Sequence, residues 1–290
     1  MAHIGLTKRE VAIVGPGRVG QALGKLLAEA GVPITLIAAR RPGAARRAAR
    51  FVGSGRPVGI EDPRVTEATV ILLTTADAAL EPVARDLARR RRDWSGRVVL
   101  HTCGSLPAAV LRPLRRRGAA IGALHPFQTI PSPAAGVRNL KACFWGIEGD
   151  AAARKLAGQW VKALGGVAFP VRPLQKTLYH AAAFLVCPTV VTLMDRSARL
   201  LRHAGVPARI VRPMLGQFVA ETVGSFVRLG GRRALTGPVT RGDWTTVKRH
   251  LAVLRRVSPD LVPLYSALVR AMLPLAGKRA PAALEKALRR

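Results

Sequence analysis

Val11-Ala12-Ile13-Val14-Gly15-Pro16-Gly17-Arg18-Val19-Gly20 begins as a short apolar run and ends in a turn built on three glycines. A helical pattern follows at once, with Val19, Leu23, Leu26, Leu27 and Ala30 on one face. Strand, G-x-G-x-x-G turn and helix in that order are the entry to a dinucleotide-binding fold. In that reading Gly15 permits the tight turn, and Gly17 lets the backbone approach a pyrophosphate. Gly20 allows close helix packing, while the amides around Arg18 and Val19 face the anion. A second apolar run, Ile34-Thr35-Leu36-Ile37, leads to Arg40 and Arg41. They stand about twenty residues past the glycine turn, where an acidic residue would bind the ribose of NAD. Two arginines there point instead to the 2′-phosphate of NADP.

Apolar runs then alternate with helical patterns. Ala68-Thr69-Val70-Ile71-Leu72-Leu73 is continuous, as expected of a strand buried on both faces, and it ends in Thr74-Thr75-Ala76-Asp77. Arg97-Val98-Val99-Leu100 repeats the pattern and runs into His101-Thr102-Cys103-Gly104-Ser105. Residues 106–117 read as a helix, 119–124 as a strand and 52–63 as a loop rich in Gly and Pro. Phe144-Trp145-Gly146-Ile147 and 167–171 close the far edge. The alternation predicts an α/β, Rossmann-like, doubly wound parallel sheet. Beyond Arg172 strand signals stop and long helical periods take over. The predicted organisation is a nucleotide-binding domain over 1–172 and an all-α domain over 173–290, with substrate in the cleft between them.

The chain has 290 residues, 49% hydrophobic content and a net charge of +31. Its basic residues are scattered over many elements and aromatics make up only 4%. Base-stacking material is therefore scarce, and an arginine-rich solvated surface is expected rather than a nucleic-acid interface. Cys103, Cys143 and Cys187 are widely spaced, which suggests neither disulfides nor a metal site and suits a reducing cytoplasm. Residues 1–10 lack the apolar core of a signal peptide. The apolar window 181–194 contains Pro188 and is too short to span a bilayer comfortably, so no membrane association is expected.

Ligands in such sheets lie beyond the carboxyl ends of the strands, so Thr74, Thr75 and Asp77 are expected along the cofactor. His101 and His125 follow strands and are candidates to face the nicotinamide and relay a proton. Gln128 and Thr129 could orient substrate, and Ser105 reads as a helix N-cap. In the helical half Lys176 and His180 lie four residues apart on one face. Arg241 is a candidate for a substrate anion, and Asp243 for either substrate or the cap of the next helix.

Gly-Ala-Leu-His-Pro-Phe-Gln-Thr-Ile (122–130), Leu-Tyr-His-Ala-Ala-Ala (178–183) and Ala-Leu-Thr-Gly-Pro-Val-Thr-Arg-Gly-Asp (234–243) together resemble a family of bacterial oxidoreductases. That family joins a Rossmann-like domain to a helical domain of unknown function. It is related in fold to 6-phosphogluconate dehydrogenase-like and pyrroline-carboxylate reductase-like proteins. The resemblance implies an NADP(H)-dependent enzyme that forms a homodimer through the helical domain and carries no assigned substrate. His125-Pro126 is also similar to a pair at the active site of prephenate dehydrogenases. One departure stands out: the family continues to Ser-Asn where this chain has Cys187-Pro188, and Pro188 is expected to kink its helix at a cost of ~3 kcal/mol. The expected activity is hydride transfer at a carbonyl, hydroxyl or imine carbon of a small anionic molecule. The alternatives are a non-catalytic NADP sensor or assembly protein, and a nucleic-acid-associated protein.

Overall fold

The structure is a computed structural model that describes residues 9–289. The reading of a missing signal peptide rests on residues that lie almost wholly outside that range. Two compact units part between Val191 and Thr192. The change of rhythm at Pro173 therefore precedes the boundary between units, which falls inside a long helix whose first turns pack with the sheet.

The first unit is an eight-stranded sheet, β1 (Val11–Val14), β2 (Ile34–Ala39), β3 (Arg56–Gly59), β4 (Val70–Leu73), β5 (Val98–His101), β6 (Ala120–Pro126), β7 (Phe144–Gly149) and β8 (Val167–Pro170). Its order is β3-β2-β1-β4-β5-β6-β7-β8, and every pairing is parallel except that of β6 with β7. The chain winds outward from β1 in one direction and then from β4 in the other. A topological switch point lies between these two strands, where such sheets open a ligand crevice. Helices α1 (Arg18–Glu29), α2 (Pro42–Val52), α3 (Asp77–Arg90), α4 (Arg112–Arg115), α5 (Pro133–Asn139) and α6 (Ala151–Ala163) cover the faces. Alternate residues of each strand feed separate cores. Val11 and Ile13 pack with Leu23, Leu27, Trp145 and Trp160, whereas Ala12 and Val14 pack with Leu80, Leu87 and Trp94.

Two sequence expectations change here. The segment 52–63 contains β3, which tolerates Pro57 because it is the edge strand and its outer side needs no amide donors. The helix expected over 106–117 is only a 3₁₀ turn, Ala108–Leu111, followed by the short α4, since Pro107 and Pro113 interrupt its hydrogen bonding.

The remaining chain is helical: α7 (Lys176–His203), α8 (Ala208–Leu229), α9 (Gly231–Ala234), α10 (Pro238–Arg241), α11 (Trp244–Val257), α12 (Val262–Ala276) and α13 (Ala282–Arg289). Val247, Leu251, Leu261, Val269 and Leu284 form the core of the second unit. Pro188 does not end α7. The Phe184 carbonyl, which would have met an amide at position 188, accepts the Thr189 hydroxyl at 3.1 Å. The unbroken helix also lengthens the apolar window. Over Pro173–His203 it is long and apolar enough to cross a membrane by length and composition, and its apolar 18-residue stretch has no buried residue.

Candidate active site at the strand ends

The glycine turn has the geometry a diphosphate needs. Gly15 sits at φ +73°, and a Cβ there would lie 2.3 Å from Thr75 Cγ2. At Gly20 a Cβ would fall 2.1 Å from Thr74 Oγ1, so α1 packs directly on the end of β4. At Gly17, by contrast, the nearest atom would be 3.7 Å away, which leaves the turn open to a ligand. No side chain caps α1, and no acidic residue stands in its first turn. The positive end of the helix dipole is thus uncompensated by the chain itself. Thr74 donates to the Gly15 carbonyl at 2.8 Å and fixes the turn against β4. The Thr75 hydroxyl, also beside the turn, is buried without a hydrogen-bond partner among the described residues.

Three cavities follow one another along the strand ends, all lined by residues of the first unit. The first, about 700 Å³, runs from Gly15 and Gly17 to Arg40 and Arg41. Both arginines are exposed, and neither forms an ion pair among the described residues. The second, about 530 Å³, continues from Gly17, Arg18 and Val19 past Thr74, Thr75 and Asp77 to Gly104, His125, Gln128 and His180. The third, about 450 Å³, starts at the same His125, Gln128 and His180 and adds Thr129 and the side of α7 from Ala183 to Val191. The residues of a dinucleotide-binding turn therefore share a cavity with Arg40 and Arg41. A second cavity joins the turn to two histidines.

His125 is built into its place from several sides. It pairs in register with Gly146 on β7, and the missing side chain there admits Tyr179, whose Oη would be 3.0 Å from a Cβ at 146. Tyr179 Oη and His125 Nδ1 are 2.8 Å apart, with the rings edge to face. The His180 ring stands 5.9 Å from that of His125. Gly104 closes the floor: a Cβ at that position would lie 2.6 Å from both His125 Nε2 and His180 Cδ2. Burial, reinforced by the charge of Lys176, lowers the His125 pKa to about 4. Burial also raises Tyr179 to about 12, which keeps the phenol protonated. At neutral pH the dyad is an uncharged imidazole beside an intact phenol.

The other candidates are placed differently. His101 is wholly buried and lines none of the three cavities. Its Nδ1 accepts the Cys103 amide at 3.1 Å, and burial first, then Lys176, pushes its pKa down to about 3. It braces the turn after β5. Lys176 is also buried, donating to the Cys103 carbonyl at 2.9 Å and lying 4.0 Å from Glu148. Desolvation lowers its pKa and raises that of Glu148. Lys176 and His180 do share a helix face, both directed at the 102–105 turn, yet only His180 borders a cavity. Ser105 does not cap a helix; it donates to Asp77 at 3.0 Å. Gln128 accepts the Thr129 amide through its own Oε1 at 2.8 Å. In the second unit Asp243 caps α11, accepting the Thr246 amide at 3.1 Å and its hydroxyl at 2.7 Å, while Arg241 is exposed.

Tyr179, Gly104 and Gly146 carry functions that the sequence reading did not assign. The usable signal was the glycine in Phe144-Trp145-Gly146-Ile147, because a glycine inside a strand marks the close approach of another group.

Comparison with known families returns a Rossmann-like domain over residues 2–126 and a domain of unknown function, DUF2520, over 143–272. The chain joins a Rossmann-like domain to a DUF2520 domain. This agrees with the resemblance drawn from the sequence. The DUF2520 match begins before β7, so Gly146, Glu148, Tyr179 and His180 all belong to it, whereas His101, Gly104 and His125 belong to the Rossmann-like match. No curated protein matches the chain. Among solved structures, a candidate NADP oxidoreductase from Bacteroides fragilis aligns at 22% identity with a TM-score of 0.75, covering 92% of this chain and 99% of its own. A Thermotoga maritima protein aligns at 21% identity and 0.69, covering 92% and 98%. A Plasmodium falciparum pyrroline carboxylate reductase with NADP bound aligns at 12% and 0.61, covering 98% and 99%. At such identities the likeness is one of fold.

Proposed function

We propose that this protein is an NADP(H)-dependent oxidoreductase acting on a carbonyl or imine carbon, or on the corresponding alcohol or amine. The observation that carries the reading is that His125 and His180 border two cavities at once. One leads back to the glycine turn, and the other opens along α7. Fold neighbours that include a candidate NADP oxidoreductase and a reductase with NADP bound support the same class.

The cofactor's diphosphate would rest on the amides at the start of α1, beside Gly17 and the unpartnered Thr75 hydroxyl. Arg40 and Arg41 would hold its 2′-phosphate. When bound it supplies a hydride to the substrate carbon, and the substrate oxygen or nitrogen gains one proton. We assign the protonated Tyr179 phenol as donor to His125 Nδ1, which puts the His125 proton on Nε2. A neutral N–H of this kind polarises a substrate oxygen or nitrogen without carrying charge into the site. His180, beside it, delivers the proton.

The test is a titration of the purified protein with each nucleotide. NADPH is expected to bind at micromolar concentrations and NADH more weakly, and Arg40→Glu should reverse that order. Failure to bind either nucleotide at millimolar concentration would overturn the reading. We also propose that a second copy of the chain covers Phe218, Phe226 and Val227 of α8, which are 61–76% exposed; apolar patches of this kind mark interfaces. A monomer by sedimentation at micromolar concentration would exclude it.

A further inference from the structure

The third cavity identifies what kind of molecule meets the two histidines. Besides His125, His180, Gln128 and Thr129, its walls are Phe127, Phe184, Val186, Pro188, Val190 and their small neighbours. No Arg, Lys, Asp or Glu lines it. The adjoining second cavity differs, since Arg18 and Asp77 both border it. A carboxylate or phosphate entering the third cavity would lose its water and find no cation, which is costly for a charged group. An apolar group would lose nothing there, and would cover Phe184 and Val191, now 59% and 66% exposed. The volume, about 450 Å³, suits a small organic ligand.

We propose that the substrate is uncharged and presents an aryl or branched alkyl group to this cavity, with the reacting carbon beside His125 and His180. The proposal rests on the oxidoreductase reading above and replaces the anionic substrate expected from the sequence. Gln128, Thr129 and the histidines are the hydrogen-bonding side chains the lining offers near the reacting end, which is enough to orient one oxygen or nitrogen.

The experiment uses the full chain and a matched pair of alcohols. 1-Phenylethanol and mandelate share the phenyl carbinol and differ in a methyl against a carboxylate. Their equilibrium affinities are measured by thermal shift and calorimetry, with and without saturating NADP. Oxidation of each is followed by NADPH appearance. The expected result is a preference for 1-phenylethanol of about ten-fold or more, equivalent to ~1.4 kcal/mol, and its loss or reversal in Val190→Arg, which places a cation in the cavity wall. Equal affinity, tighter mandelate binding, or no binding of either alcohol overturns the proposal. A preference for 1-phenylethanol in a protein that ignores NADP and NADPH would uphold the cavity's chemistry while overturning the oxidoreductase reading. NADP binding with preferred mandelate turnover would do the opposite.

Discussion

The ends of β5 and β6 carry the same sequence signal, a histidine at the close of a buried apolar strand, and the fold uses them in opposite ways. His101 pairs in register with Ala123, so His125 lies two residues further along the same sheet face. At about 3.3 Å per residue that advances it by roughly 7 Å. The advance is possible because β7 pairs antiparallel with β6 and supports it as far as Pro126, whereas β5 stops at His101. The ring inside the sheet is spent on bracing a turn. The ring beyond it meets Tyr179, His180 and two cavities. Position relative to a neighbouring strand, not residue type, separates a histidine shut inside the sheet from one that reaches the cavities.

Exchanging the fates of the two histidines gives the largest expected effect. His125→Ala should lower turnover by about 10²–10³-fold, the usual share of a preorganised hydrogen-bond donor, while leaving NADPH affinity and the urea midpoint near those of the parent. His101→Ala should do the reverse, costing roughly 1–3 kcal/mol of stability with little change in turnover per folded molecule. A large loss of turnover from His101→Ala alone would remove the distinction between the two strand ends.

Tyr179→Phe sharpens the comparison by removing the hydroxyl that sets the His125 tautomer. Turnover should fall by about ten-fold, the equivalent of a hydrogen bond worth ~1.4 kcal/mol. Nitrogen-detected NMR should show His125 in the parent with its proton on Nε2 and a mixture of tautomers in the variant. An unchanged tautomer would mean that the phenol plays no part in orienting the ring.

The glycine turn, the alternation of strands and helices and the helical second half were all legible, because each depends on short-range spacing. The place of His125 near the end of β6 was legible for the same reason, although the strand runs on through Pro126 instead of stopping before it. The Tyr179–His125 bond was not, since it joins residues 54 apart in sequence and depends on a notch at Gly146 that only the β6–β7 register creates. The burial of Lys176 escaped notice in the same way. Its partners, the Cys103 carbonyl and Glu148, come from two other elements. The apolar wall of the third cavity was not legible either, because none of the arginines abundant in the sequence lines it.

The smallest effect concerns protons. His101 and His125 have folded pKa values near 3 and 4, against 6.5 for an unperturbed imidazole. Between those limits the unfolded chain binds protons that the folded chain refuses. Stability contributed by the two neutral rings is therefore complete above pH 6.5 and is lost as pH falls toward 4 and then 3. Burial is the leading cause for both rings, and the Lys176 charge comes second. Lys176→Met should consequently raise both pKa values while leaving them below 6.5, and the fall in stability on acidification should become shallower. Glu148, already pushed upward by burial, should take up a proton more readily once that amine is gone. NMR titration of the two imidazoles from pH 3 to 8 measures the shift directly. If the rings of the variant titrate where the parent's do, Lys176 does not act on the histidines through its charge, and burial alone keeps them neutral.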